Sequence, residues 1–242
     1  MQGMVGSRQG WVEVPYRRCP ARSQDLSAHL FPVPGRRNAW IVPGVCRTDP
    51  DGTHHDVMRG EEVQVFGALG DAREALICLP GTHSKWVLCR DGALTDFATA
   101  MTGEVFEVLK RHSLLGTLMA QEERAGNLAA DADAFRRGLD RSAEAGGLLH
   151  HLFGVRAEGL FGAIGGAALE SYLSGILIGH EIRAMADRFP APGAVLLVAE
   201  GALAQRYGAA LTHLARAFAP VDAEAATLRG LTRILEQAGP LT

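Results

Sequence analysis

The run Ala75-Leu76-Ile77-Cys78-Leu79-Pro80-Gly81-Thr82-His83-Ser84-Lys85-Trp86-Val87-Leu88-Cys89-Arg90-Asp91-Gly92 holds two apolar segments and two turn signals. Ala75–Leu79 is a compact apolar run of strand length. Pro80 to Ser84 reads as a turn, because Pro, Gly, Thr and Ser favour bends and satisfy backbone groups locally. Lys85–Cys89 reads as the returning strand, and Asp91-Gly92 is a strong tight-hairpin signal. Ala93–Ala98 continues the pattern, so an antiparallel meander is predicted.

Upstream, Glu61–Leu69 reads as a short helix with two acids in its first turn, where the helix dipole favours them. The first 58 residues are rich in Gly, Pro and Arg and read as loops with short strands, among them Trp11–Val14 and Ala39–Val42. Downstream, Thr102 is placed to cap a helix from Gly103 to about His112. Asp131 or Asp133 is placed to cap a helix that ends near Gly146, and Leu148–Arg156 reads as another. Leu169, Tyr172, Leu173, Ile176, Leu177 and Ile182 recur at helical spacing in a long segment that Pro190 and Pro192 stop. This apolar face reads as core, with a homodimer interface as the alternative. Ala194–Ala199 reads as a buried strand that turns at Glu200-Gly201 into a helix from Ala202 to about Phe218. Asp222 caps a last helix running to about Ala238. Meander, helices and a strand–turn–helix unit together predict a mixed α/β fold.

A chain of 242 residues suits one large domain or two small lobes. The formal net charge of −3 is spread along the chain, which argues against a nucleic-acid partner. The Arg17-Arg18 and Arg36-Arg37 pairs read as solvated loop residues. None of the four cysteines (Cys19, Cys46, Cys78, Cys89) forms a CxxC pair, a pattern that fits a reducing cytoplasm. No apolar run approaches the roughly 20 residues needed to span a bilayer, so a cytoplasmic protein with no membrane partner is expected.

Four constellations could carry chemistry. In Met58-Arg59-Gly60-Glu61-Glu62, an acid at a helix start beside a Gly could take a proton from a hydroxyl attacking phosphorus. The alternative, which composition by itself favours, is an ordinary acid stabilised by the helix dipole. In Gly81-Thr82-His83-Ser84-Lys85, turn N–H groups, two hydroxyls and an ammonium could cradle a phosphate, and a plain polar hairpin is the alternative. Met101-Thr102-Gly103-Glu104 offers exposed helix N–H groups to an anion, or a simple cap. Ala199-Glu200-Gly201-Ala202 would let a flat ligand lie against the backbone, or is a tight turn. His54-His55 is a weak metal signal, since no Cys or acid partner lies at ligand spacing, and no metal site is expected.

Gly3–Ser7 (GMVGS), Ile41–Val45 (IVPGV), Met58–Glu62 (MRGEE), Leu79–Val87 (LPGTHSKWV), Phe97 with Met101–Glu104 (MTGE), and Leu173–Gly179 (LSGILIG) occur in this order. In this the chain resembles the 2-dehydro-3-deoxygalactonokinase family, over essentially its whole length. The resemblance implies a ribonuclease-H-like, actin/hexokinase-type fold of two lobes, with a remainder of the N-terminal lobe at 1–70 and a C-terminal lobe at 71–242. It implies ATP- and Mg2+-dependent phosphorylation of 2-dehydro-3-deoxy-D-galactonate at its terminal hydroxyl, in galactonate catabolism. Glu61 takes the place of the catalytic base, with Glu62 as its rival. Gly81, Thr82, His83, Ser84 and Lys85 take the place of the second phosphate loop, and Gly201 that of the adenosine loop. Arg59, Thr102 and Glu104 are candidates for the sugar acid, Arg59 because a guanidinium binds a carboxylate in two-pronged fashion. Family members open with a strand and an Asp-x-Gly-Ser/Thr phosphate loop that this sequence lacks. The expectation is therefore an N-terminally truncated kinase with an incomplete first lobe and exposed sheet edges. The alternative function is an impaired lobe that only binds sugar acid or nucleotide. A transcriptional regulator of the same superfamily is disfavoured, because no helix-turn-helix or basic face is present.

Overall fold

Side chains alternate across a strand, so a run that is apolar at every position must be buried on both faces. The Ala75–Leu79 strand of the central meander meets that condition. A computed structural model describes residues 1–119, 128–190 and 193–239. After one 3-10 turn come β1 (Arg17–Arg18), α1 (Ser23–Ser27), β2 (Phe31–Pro32), β3 (Trp40–Ile41), β4 (Val45–Thr48), β5 (His55–Met58) and α2 (Glu61–Leu69). The meander is β6 (Ala75–Leu79), β7 (Ser84–Arg90) and β8 (Ala93–Ala100). Then follow α3 (Thr102–His112), α4 (Leu114–Met119), α5 (Leu128–Arg141), α6 (Gly147–Leu160) and α7 (Gly166–Arg188). The last elements are β9 (Val195–Val198), α8 (Gly201–His213), β10 (Phe218–Val221) and α9 (Ala223–Glu236).

The main sheet has the order β10-β9-β6-β7-β8. β6, β7 and β8 pair antiparallel, whereas β9 runs parallel to β6, and β10 parallel to β9. On one face Ile77, Leu79, Val87, Phe97 and Val198 pack against Val63 and Phe66 of α2 and Ala226 and Ile234 of α9. On the other, Leu76, Cys78, Trp86, Val195 and Leu197 pack against α5, α7 and α8 through Leu139, Ile178, Ile182, Tyr207 and Leu211. The long helix α7 also meets a third cluster around Leu115, Met119 and Val155. Its Leu169–Ile182 face is therefore core and not an interface.

A smaller sheet, β1-β4-β5, lies beside the free edge of β8. The Asp56 carboxylate of β5 joins the two, accepting from the Thr99 backbone N–H at 2.7 Å and the Thr99 hydroxyl at 2.6 Å. A third, two-stranded sheet pairs β2 with β3. The core cluster that holds Leu26, Val45 and Met58 also holds Phe97 and Ile234, so packing is continuous across residue 70.

Some local expectations are corrected. Trp11–Val14 is no strand, because the Trp11 and Val14 N–H groups bond back to Val5 O and Gly6 O at 2.8 and 3.0 Å. Met101, not Thr102, sits at the cap of α3. Asp131 lies inside the first turn of α5 rather than before it. α8 stops at His213 because Ala215 adopts φ +53°, and Phe218 already belongs to β10. Pro192, expected to help stop α7, lies outside the described residues. No helix among the described residues is long and apolar enough to cross a membrane.

Candidate active site

The Pro80–His83 turn stands between two hollows. One, of about 590 Å³, is lined by Glu61, Gln64, Gly81, Thr82, His83 and Glu200. The other, of about 530 Å³, is lined by Thr102, Glu104, Lys110, Leu203, Arg206 and Tyr207. Gly81, Thr82 and Leu203 border both.

Glu61 reaches the first hollow from the N-terminus of α2. Gly60 precedes it at φ +112°, a conformation closed to most side chains, and a Cβ there would lie 3.1 Å from the Gly3 Cα. Glu61 Oε2 accepts from the Arg59 backbone N–H at 3.0 Å. Glu62 points the other way and is fully buried, accepting from the Gly60 N–H at 2.7 Å while its Oε1 has no hydrogen-bond partner. Burial pushes its pKa up to about 8. Of the two rival acids, only Glu61 lines the hollow.

Arg59 faces the N-terminal segment and borders neither hollow. Its Nη2 donates to Val14 O at 2.7 Å, and the guanidinium lies 4.1 Å from the Tyr16 ring centroid. Nε and Nη1 are buried without a hydrogen-bond partner, leaving two donor nitrogens of the planar fork unused.

Ser84 opens strand β7, which corrects its expected place in the turn, while Lys85 lies in the returning strand as expected. Neither side chain borders a hollow. Ser84 is fully buried, its hydroxyl 2.9 Å from the Tyr207 hydroxyl. Lys85 Nζ donates to Val57 O and to Thr99 Oγ1, each at 2.8 Å. Burial lowers the Lys85 pKa, opposed by the nearby Glu61, Asp56 and Glu62. The alternation of β7 explains both placements: once Ser84 opens the strand, successive side chains go to opposite faces of a covered sheet.

The N-terminus of α3 is locked to the turn. The Glu104 backbone N–H donates to Thr82 O at 3.0 Å, and the Glu104 carboxylate meets His83 Nε2. A Cβ on Gly103 would lie 2.4 Å from Gly81 O, so this contact requires glycine. The Thr102 hydroxyl donates to Glu181. Gly201 opens α8 at φ +55° with open space where a Cβ would point, and its neighbours Glu200 and Ala202 line one hollow each.

Sequence reasoning missed Glu181, Trp86 and Tyr207. Glu181 accepts from Trp86 Nε1 at 2.8 Å and from the Tyr207 hydroxyl at 2.7 Å, and burial raises its pKa. The available signal was an acid on an otherwise apolar stretch of α7. At the β4–β5 hairpin tip, Asp49, Asp51 and His54 gather their ligand atoms within 4.8 Å, so acid partners do lie near His54, contrary to the sequence reading. Asp49 is paired with Arg47, and Asp51 with Thr53.

Residues 1–234 match the family profile described as 2-keto-3-deoxy-galactonokinase. The chain is 40% identical over 207 residues to the 2-dehydro-3-deoxygalactonokinase of Escherichia coli (strain K12), covering 86% of this chain and 68% of that one. It is 37% identical over 243 residues to "Probable 2-dehydro-3-deoxygalactonokinase DgoK1" of Rhizobium meliloti (strain 1021), covering 99% and 78%. A crystal structure of a candidate 2-dehydro-3-deoxygalactonokinase protein from Sinorhizobium meliloti superposes with a TM-score of 0.87 at 37% identity, over 99% of this chain and 79% of that one. The chain belongs to the 2-keto-3-deoxy-galactonokinase family.

Proposed function

We propose that this chain transfers the terminal phosphoryl group of ATP to the 6-hydroxyl of 2-dehydro-3-deoxy-D-galactonate. The observation that carries the proposal is the meeting of Glu61 with the Gly81–His83 turn in one hollow, next to a second hollow at the start of α8. Glu61 accepts the proton of the attacking hydroxyl. The turn's backbone N–H groups and the Thr82 hydroxyl hold phosphate oxygens, with His83 adding positive charge when protonated. The nucleoside occupies the 530 Å³ hollow, its ribose and base running past Gly201. Arg59 borders neither hollow, so its unpartnered Nε and Nη1 receive the carboxylate of the sugar acid once the N-terminal segment over them shifts. Thr102 and Glu104 border the nucleotide side and are engaged with Glu181 and His83, so they shape the site rather than bind the acid.

Hard divalent cations favour carboxylate and phosphate oxygens, and two carboxylates, Glu61 and Glu200, line the phosphate-side hollow. That donor set suits Mg2+ carried in on the nucleotide phosphates, with Glu200 as the carboxylate that would hold it. The ion would neutralise charge on the phosphates. An antiparallel meander followed by two parallel strands supports the ribonuclease-H-like reading of the main sheet. In that reading residues 71–242 form the larger lobe, and α2 at the end of 1–70 packs onto it.

The test is a coupled assay of ADP formation with 2-dehydro-3-deoxy-D-galactonate and its C4 epimer. Sugar-acid-dependent ADP release is expected for the wild type, with Glu61→Gln lowering kcat by about 10²–10⁴ and the KM for ATP little changed. ATP binding without turnover would favour the impaired-lobe reading.

A further inference from the structure

Five side chains form one largely buried hydrogen-bonded group beside the 530 Å³ hollow, which two of them, Thr102 and Tyr207, line. Glu181 of α7 is its centre, with Trp86 Nε1 at 2.8 Å on one carboxylate oxygen. The Tyr207 hydroxyl, at 2.7 Å, and the Thr102 hydroxyl donate to the other oxygen. Tyr207 spends its proton on Glu181, so at the 2.9 Å contact the Ser84 hydroxyl is the donor. Ser84, Trp86, Glu181 and Tyr207 are all buried. Donors that converge on a carboxylate leave it nothing to give, so this arrangement suits an acceptor-only centre.

The members stand where the proposed chemistry needs rigidity. Ser84 directly follows the phosphate-binding turn in the chain. Thr102 is the first residue of α3, whose next two residues pack on and bond to that turn. Thr102 and Tyr207 both line the hollow assigned to the nucleoside. Glu181 touches neither hollow. It ties the start of β7, the N-terminus of α3, α7 and α8 into one unit, and thereby fixes the phosphate-binding turn relative to the nucleoside hollow.

We propose that Glu181 is a positioning residue for nucleotide binding, holding Thr102, Tyr207 and Ser84 in register through its two oxygens. The proposal rests on the nucleotide assignment of the two hollows made above. Its consequence is a selective one: loss of the centre loosens the nucleotide side, whereas the sugar-acid side around Arg59 and Glu61 has its own contacts.

Two readouts test it. The first is equilibrium binding of ADP, followed by Trp86 emission in a background where Trp11 and Trp40 are replaced by Phe. The second is steady-state kinetics with ATP and the sugar acid varied separately. Glu181→Met fills the space without polar atoms, and a buried charged group replaced by an apolar one of similar volume often still folds. Tyr207→Phe and Thr102→Val each remove a single hydroxyl and keep the test alive should Glu181→Met fail to fold. Each variant should weaken ADP binding and raise the KM for ATP, roughly tenfold for Glu181→Met, with the KM for the sugar acid within about twofold. Unchanged ADP binding in the folded variants, or an equal rise in both KM values, overturns the proposal. Wild type that binds ADP but transfers nothing to the sugar acid sinks the kinase assignment alone, and the binding comparison still decides the role of Glu181. Wild type that does not bind ADP overturns both.

Discussion

Glu61 and Glu62 are neighbours with the same side chain, yet one lines an open hollow and the other is fully buried. The difference follows from the helix: residues one apart point about 100° apart, so the first turn of α2 sends one carboxylate to the cleft and one into the core. Glu62 then carries a pH signature. Its pKa is about 8 in the folded protein against an ordinary 4.5 in the unfolded chain. Below 4.5 both states hold the proton and burial adds no pH dependence. Between 4.5 and about 8 only the folded state holds it, so stability falls as pH rises and levels off above that window. Glu62→Gln keeps an acceptor for the Gly60 N–H and removes the titration. Denaturant unfolding at pH 5, 7 and 9 should show the Gln variant gaining on wild type by a few kcal/mol across the window. A difference that stays flat with pH would mean that Glu62 is not held protonated by burial.

The decisive contact at the next scale is between α3 and the turn before β7. α3 presents one backbone N–H, one carboxylate and one glycine to a turn only a few residues long. Gly103→Ala would place a methyl 2.4 Å from Gly81 O, where neither partner is a flexible side chain. Overpacking of this kind costs about 1–3 kcal/mol. A lower melting temperature together with a higher KM for ATP is expected, since the helix and the turn before β7 must separate to admit the methyl. Wild-type melting and KM would show that the turn yields freely. Elsewhere the elements obey local rules: Asp222 caps α9 by accepting from the Ala225 N–H at 2.7 Å, as its type and position foretold.

Across the whole molecule, polar groups of β5, β7 and β8 join the small sheet to the large one, beside the apolar packing that Val45 and Met58 share with Phe97. Lys85 Nζ bonds Val57 O of β5 and Thr99 of β8, and Asp56 bonds Thr99. Lys85→Met would leave Val57 O and the Thr99 hydroxyl without this donor, at a cost of about 1–3 kcal/mol. Hydrogen exchange should quicken in β5 while β6 and β7 keep their protection; uniform quickening would show that the sheets do not separate as units. The meander, α2 and the βα turn at Gly201 were legible in the sequence. Apolar runs of strand length, turn residues and a two-acid helix start are local signals, and backbone hydrogen bonding and solvation act on them locally. The positions of Glu61, Gly81, Thr82 and His83 around one hollow follow from that order once the sheet forms. What only the tertiary structure decided was where strand alternation and helix crossings send individual side chains. It drew Ser84 and Lys85 under the sheet, left two donor nitrogens of Arg59 unused, and made Glu181 the centre of a group drawn from four elements. Those outcomes depend on partners up to 123 residues apart in the chain, and no pattern within a single segment carries information about contacts at that separation.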